Sequence, residues 1–151
     1  MIVKLAAAGD VLLTTALAAA LRQARPAQPI AWLTTPYAAP LLEHNPDVDE
    51  VLLWSGGAGG NWLRLRAWCR AQRPALVLLA HRSLRLQLLL RAAGCGRVVG
   101  WRNGRARLGL AAAARFQPQR HRLQLQSDLL AAAGFGGVQA RAPRLVLTAA
   151  E

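Results

Sequence analysis

MIVKLAAAGDVLLTTALAAALRQA, residues 1–24, decides the fold. Ile2 to Leu5 is a short apolar run containing Ile and Val, which suit a pleated, buried strand. Gly9 and Asp10 break that run, and Leu13, Leu17, Ala20, Leu21 and Ala24 then recur at helical spacing. The stretch reads as strand, turn, helix.

The same unit recurs downstream. Ile30 to Thr34 reads as a strand, Tyr37 to Glu43 as a short helix, and Val51 to Trp54 as a strand after the Asn45-Pro46-Asp47 turn. Gly56 to Gly60 reads as a loop, and Asn61 is placed to cap a helix reaching Gln72, where Trp62, Leu65, Trp68 and Cys69 share a face. Ala75 to Ala80 (ALVLLA) is continuously apolar, as a strand buried on both faces of a parallel sheet must be. A helix from Ser83 to Ala93, a short strand at Val98 and Val99, a short helix from Leu108 to Ala114 and a helix from His121 to Ala133 complete the alternation. No solenoid-type repeat interrupts it. The expectation is an α/β fold, a Rossmann-like parallel sheet with helices on both faces and right-handed crossovers, whose site lies at the carboxyl ends of the strands.

A chain of 151 residues with 54% apolar content can bury a core as one domain. Residues 1–134 form that expected domain. Residues 135–151 are punctuated by Gly and Pro and read as the start of a linker, with a strand-like Leu145-Val146-Leu147 near its end.

The net charge of +12 comes from 19 basic and 7 acidic residues, and every basic residue except Lys4 is an arginine. Two readings fit: a composition bias that spreads solvated guanidinium groups over the surface, or an acidic partner gripped by arginine forks. Cys69 and Cys95 stand far apart without metal-ligand spacing, which fits a reducing, cytoplasmic setting. Lys4 and the apolar residues up to Ala20 imitate a secretory signal, but Asp10 sits in the middle of that stretch. The longest uncharged run there, Val11 to Leu21, is far short of the roughly 20 residues a membrane span needs. A soluble protein, compatible with peripheral membrane contact, is expected.

The loop after the first strand opens towards the crevice of such a sheet, and Asp10 sits there at a helix start. It reads either as an N-cap or as a catalytic or ligand carboxylate. His81, Arg82, Ser83 and Arg85 follow the buried fourth strand, where a loop and helix start suit phosphate or sugar hydroxyls; capping by Ser83 and solvated arginines are the alternatives. His121 precedes the last helix as a cap or a site group. Neither G-x-G-x-x-G nor a Walker motif is present, which disfavours a dinucleotide dehydrogenase. His44, His81 and His121 lack ligand spacing, so no metal is expected.

Lys4 to Thr15 (KLAAAGDVLLTT) resembles the opening of the glycosyltransferase family 9 heptosyltransferases. The resemblance continues in Trp32, in Asn45-Pro46-Asp47-Val48-Asp49-Glu50-Val51, in His81-Arg82-Ser83-Leu84-Arg85 and in Arg120-His121. It implies the N-terminal half of a GT-B fold, and an inverting transfer of heptose from an ADP-sugar to a phosphorylated glycolipid acceptor, the lipopolysaccharide inner core. Asp10 would then be the catalytic base. Lys4, Gly9, Thr14, His81, Arg82, Ser83, Arg107 and His121 would face the acceptor. No cofactor is implied beyond the ADP-sugar co-substrate, held mainly by a second domain.

Family members run to about twice this length. The resemblance therefore implies an acceptor-binding half that is inactive alone, whether as a truncated form, as part of a split enzyme whose C-terminal domain is a separate chain, or as a binding domain. A basic binding module for nucleic acid or an anionic glycolipid is the competing class. Nucleic acid is disfavoured, because no motif of that kind occurs.

Overall fold

The computed structural model describes residues 1–56, 60–102, 110–140 and 142–146. Six parallel strands form one sheet in the order β3-β2-β1-β4-β5-β6. These are β1 (Ile2–Val3), β2 (Ala31–Thr34), β3 (Glu50–Leu53), β4 (Val77–Leu79), β5 (Val98–Arg102) and β6 (Ala112–Arg115). Four helices connect or follow them: α1 (Ala8–Ala24), α2 (Gly60–Gln72), α3 (Leu84–Ala92) and α4 (Arg122–Ala132). The α/β, Rossmann-like expectation holds.

Two apolar layers explain why the central strands carry no polar face. On one side, α1 and α4 pack Val11, Leu17, Leu125 and Leu129 against Ile2, Trp32, Leu78 and Val99. On the other, α2 and α3 pack Leu65, Cys69, Leu86 and Leu90 against Val3, Leu33, Val77, Leu79 and Val98. Alternate residues of each strand thus serve opposite layers, as the pleat requires. In the second layer the Cys69 and Cys95 sulfurs, free and buried, come within 3.0 Å of each other. Their separation along the chain carries no hint of this meeting.

The largest correction concerns residues 108–114, expected as a helix. The strand β6 begins at Ala112, paired with β5 from Val99↔Ala112 to Arg102↔Arg115; positions 103–109, and with them Leu108, lie outside the described residues. Alanine is the best intrinsic helix former, but pairing with β5 and packing under α4 override that preference. Val98 and Val99 accordingly begin a strand of five residues, longer than expected. The helix expected at Tyr37 to Glu43 is a single 3-10 turn, Ala39–Leu42. Leu145 and Val146 are exposed and belong to no strand, while Leu147 is outside the described residues.

The segment after α4 is tied to the domain. Phe135, Val138 and Ala140 pack against the first apolar layer. The Arg144 amide donates to Thr15 Oγ1 at 2.9 Å, and Asn45 Nδ2 donates to the Arg144 carbonyl at 3.3 Å.

Candidate functional site

β1 is central in the sheet, and the chain leaves its carboxyl end at Lys4 to enter α1. Ala7, not Asp10, occupies the N-cap position of α1 and makes no side-chain cap bond; Asp10 lies in the first turn. The capping role is therefore not what Asp10 does. Its Oδ2 accepts a 2.9 Å hydrogen bond from Lys4 Nζ, and its Oδ1 lies 3.8 Å from an Arg122 guanidinium nitrogen. The first-turn position adds the favourable end of the helix dipole.

Burial by itself would raise the Asp10 pKa. The Lys4 hydrogen bond and charge outweigh it, with help from Arg122 and His81, and hold the carboxyl below its ordinary value. Asp10 is thus a carboxylate at neutral pH. His81 is pushed the other way for a histidine: burial and the Lys4 charge lower its pKa, against a smaller opposing pull from Asp10. It is therefore a neutral imidazole at pH 7, able to accept or donate one hydrogen bond.

These groups line a cavity of about 250 Å³ at the carboxyl edge of the sheet, together with Thr14, Arg82, Trp101, Phe116 and Gln126. The Arg82 guanidinium carbon stands 4.2 Å from the Phe116 ring centroid, and Trp101 meets the same ring edge-on with centroids 5.6 Å apart. Thr14 is buried and donates its hydroxyl to the Asp10 carbonyl at 2.6 Å, so it locks the first turn of α1. Gln126 is buried, its amide donating to the Leu13 carbonyl at 2.8 Å, and its Oε1 carries no hydrogen bond. A carboxylate, several cations, aromatic edges and an unused carbonyl oxygen suit a hydroxyl-rich, anionic ligand.

Of the residues singled out from sequence, Lys4, Asp10, Thr14, His81 and Arg82 converge on this cavity. Ser83 does not line it; its Oγ caps α3, accepting from the Leu86 amide at 3.3 Å. His121 is the N-cap of α4, its Nδ1 accepting from the Leu123 amide at 3.3 Å, and the residue after it, Arg122, reaches the site. Gly9 is exposed in the first turn of α1, and a side chain there would meet nothing. Arg107 lies outside the described residues. Among the described residues no group of His, Cys, Asp and Glu is arranged to hold a metal ion.

Trp101, Phe116, Arg122 and Gln126 escape the sequence reading. The first two stand at or beyond the carboxyl ends of β5 and β6, and reading residues 108–114 as a helix hides that placement. Arg122 and Gln126 are one turn apart on α4 and so share a face, but that spacing occurs along every helix and does not mark a site.

The topology and the placement of the cavity define a class of fold, the Rossmann-like parallel sheet with its site at the carboxyl ends of the strands. Its particular counterparts are structures of glycosyltransferase family 9. The glycosyl transferase family 9 protein from Veillonella parvula matches with a TM-score of 0.78 at 20% identity, over 97% of this chain and 44% of that one. The E. coli ADP-heptose lps heptosyltransferase II matches with 0.77 at 19% identity, over 99% and 46%. The E. coli heptosyltransferase WaaC with ADP-2-deoxy-2-fluoro heptose matches with 0.70 at 19% identity, over 96% and 50%. The chain spans about half the length of these structures. No protein-family model matches the sequence, and no curated protein is significantly similar to it.

Proposed function

We propose that this domain is the acceptor-binding half of a sugar transferase of the heptosyltransferase type, with Asp10 as the catalytic base. The observation that carries the reading is the Asp10 carboxylate itself. It is ionised, hydrogen-bonded to Lys4 and set in a cavity at the end of the central strand. The likeness to solved heptosyltransferases supports the same reading at the level of the fold.

In the proposed inverting transfer, an acceptor hydroxyl attacks the anomeric carbon of an ADP-sugar. The new carbon–oxygen bond forms as the bond to the diphosphate breaks, and the hydroxyl proton passes to Asp10. The lysine that keeps Asp10 charged also lowers its basicity. Proton transfer therefore comes late, when the sugar carbon is already cationic and the attacking hydroxyl is acidified. Arg82 and Arg122 suit phosphate or carboxylate groups of the acceptor, and Gln126 Oε1 suits a hydroxyl donor.

The ADP-sugar is expected to be held mainly by a second domain, so the chain alone is expected not to turn over. The test is reconstitution with a separately produced nucleotide-sugar-binding domain, ADP-heptose and a lipopolysaccharide-core acceptor. Transfer that is lost in Asp10→Asn supports the proposal. Equal turnover by the wild type and Asp10→Asn would remove Asp10 as the base.

A further inference from the structure

We infer that Cys69 and Cys95 are a thiol–disulfide pair, which a peroxide closes into a covalent staple between the end of α2 and the turn after α3. The inference goes beyond the sugar-transferase reading and does not rest on it. It stands on the backbone that holds the two sulfurs together and on a cavity that reaches one of them.

Both cysteines are free, and they stand 26 positions apart in the chain. Each is fixed by the C-terminal cap of a helix. Cys69 lies in the last turn of α2, on the buried face it shares with Leu65, and its carbonyl accepts from the Arg73 amide at 2.9 Å. Arg73 adopts a left-handed φ of 44° to make that bond, so the helix stops one turn beyond Cys69. After α3, Gly94 takes the left-handed conformation at φ 88°; its amide donates to the Arg91 carbonyl at 3.0 Å, and the Cys95 amide to the Leu90 carbonyl at 3.1 Å. This double bond pattern is the Schellman turn, which folds the residue after the glycine back against the helix. Cys95 is that residue, and it packs with Leu90 in the layer that holds Cys69. The two caps therefore bring the sulfurs to 3.0 Å, and a disulfide of about 2.05 Å needs side-chain movement rather than a rearranged backbone.

The two thiols are not equivalent. An open cavity of about 660 Å³ reaches Cys69 and is walled by Arg70, Arg73, Pro74, Gly94 and Gly96, whereas Cys95 does not line it. Gly94 and Gly96 leave that wall bare, since a side chain at either would meet nothing. The hydrogen bond between the sulfurs also lowers the Cys69 thiol below its ordinary value and raises that of Cys95. Cys69 is the sulfur that is reached and the one that ionises first.

The chemistry balances with a small neutral peroxide as oxidant. The Cys69 thiolate attacks one oxygen of hydrogen peroxide, the O–O bond breaks, and the departing oxygen takes a proton and leaves as water. Cys69 is then a sulfenic acid. The Cys95 sulfur attacks the Cys69 sulfur, the S–O bond breaks, and the hydroxyl leaves with the Cys95 proton as a second water. Two thiols and one peroxide give one disulfide and two waters; the sulfurs lose the two electrons that the peroxide gains. The closed loop contains β4 and α3. It ties the entries of β4 and β5 at the amino end of the sheet and touches no group of the Asp10 cavity.

The test treats the whole reduced chain with hydrogen peroxide at pH 7, alkylates it after denaturation and maps its peptides without reductant. Loss of both thiols into one cross-linked peptide pair holding Cys69 and Cys95 is expected. The oxidised chain should melt about 5–10 °C above the reduced one, with dithiothreitol reversing the shift. In Cys95→Ala, peroxide should leave Cys69 as a sulfenic acid that dimedone labels; in Cys69→Ala, labelling of Cys95 should be several-fold slower. Gly96→Val places a side chain in open space at the cavity wall and should slow closure several-fold. Thiols that both survive peroxide in the wild type, cross-links between chains, or a disulfide that leaves the melting temperature unchanged or lower would each overturn the inference. Faster labelling of Cys95 than of Cys69, or unslowed closure in Gly96→Val, would overturn the route through the cavity. The wild-type map and melting curve need no variant to fold.

Discussion

The two ends of this sheet carry cavities of opposite character. The amino end holds the larger, about 760 Å³, lined by apolar groups such as Leu21, Ile30, Leu76, Trp68 and Phe135. Its carboxylates are already occupied: Asp49 Oδ2 accepts from Arg22 and from the Ile30 amide, both at 2.6 Å, and Glu50 accepts from Trp68 Nε1 at 2.9 Å. The carboxyl end holds only about 250 Å³, yet gathers Asp10, Lys4, His81, Arg82 and Arg122. Volume follows from how far strands and helices splay. Chemistry follows from where the chain leaves parallel strands, because loops there are free to bring side chains from several elements to one edge.

A pair of matched substitutions should break or confirm that contrast. In the reconstituted transferase, Asp10→Asn should lower turnover by about 10²- to 10⁴-fold, and should also lower the melting temperature because it leaves buried Lys4 without its carboxylate. Asp49→Asn should leave turnover unchanged, with a stability loss of about 1 kcal/mol from weakened bonds to Arg22 and Ile30. If Asp49→Asn lowered turnover as far as Asp10→Asn, the division of labour between the ends would be wrong.

Lys4 is the next lever. Removing its charge and hydrogen bond in Lys4→Met leaves burial to dominate, so the Asp10 carboxyl should titrate at higher pH than in the wild type. A carbon-13 NMR titration of the Asp10 side chain reads this directly, and the acid limb of turnover should move the same way. The stability linkage has a definite sign. Because its folded pKa is depressed, Asp10 contributes stability that is present above its unfolded value of about 3.9 and lost as pH falls through the folded value. The Lys4→Met and wild-type proteins should therefore differ less in stability below about pH 4 than at pH 7. An Asp10 titration that does not move in Lys4→Met would show that another group holds the carboxylate.

Most of the fold was legible because its signals are local and strong. Ala75 to Ala80 could only be a doubly buried strand, and the helical spacing after Asp10 could only follow a turn. Legibility failed at β6, where three alanines and one arginine contain no period, and where the deciding force is pairing with β5. The site followed the same division. Lys4, Asp10 and His81 could be found because each follows a recognisable strand; Trp101 lies in the part of β5 beyond the two valines, and Phe116 follows β6, whose sequence carries no strand signal; Gln126 is marked only by its burial and its unused oxygen.

The β5–β6 edge of the sheet is also tightly packed at Gly100. A side chain on Gly100 would place its Cβ 3.1 Å from Leu110 Cδ2 and 3.4 Å from the Leu79 carbonyl oxygen. Gly100→Ala should cost about 1–2 kcal/mol by overpacking, read as a lower melting temperature. Because Trp101 follows it, acceptor binding should weaken too, whereas the ion pair of Arg22 with Asp49 at the other end should be undisturbed. Unchanged stability would mean that Leu110 can move aside without loss.

The smallest expected effects separate a residue that builds the site edge from one that binds there. Ser83 and His121 both sit where sequence resemblance expects acceptor contacts, yet each spends its side chain on a helix amide. Ser83→Ala should therefore lower stability by about 1 kcal/mol, and His121→Ala by about 0.5 kcal/mol because its cap is exposed. Neither should change the KM for acceptor in the reconstituted enzyme. A cap acts on the folded state as a whole, so its loss appears in the melting temperature at every acceptor concentration. A ligand acts only on the complex, so a raised KM with an unchanged melting temperature would return Ser83 or His121 to the binding surface.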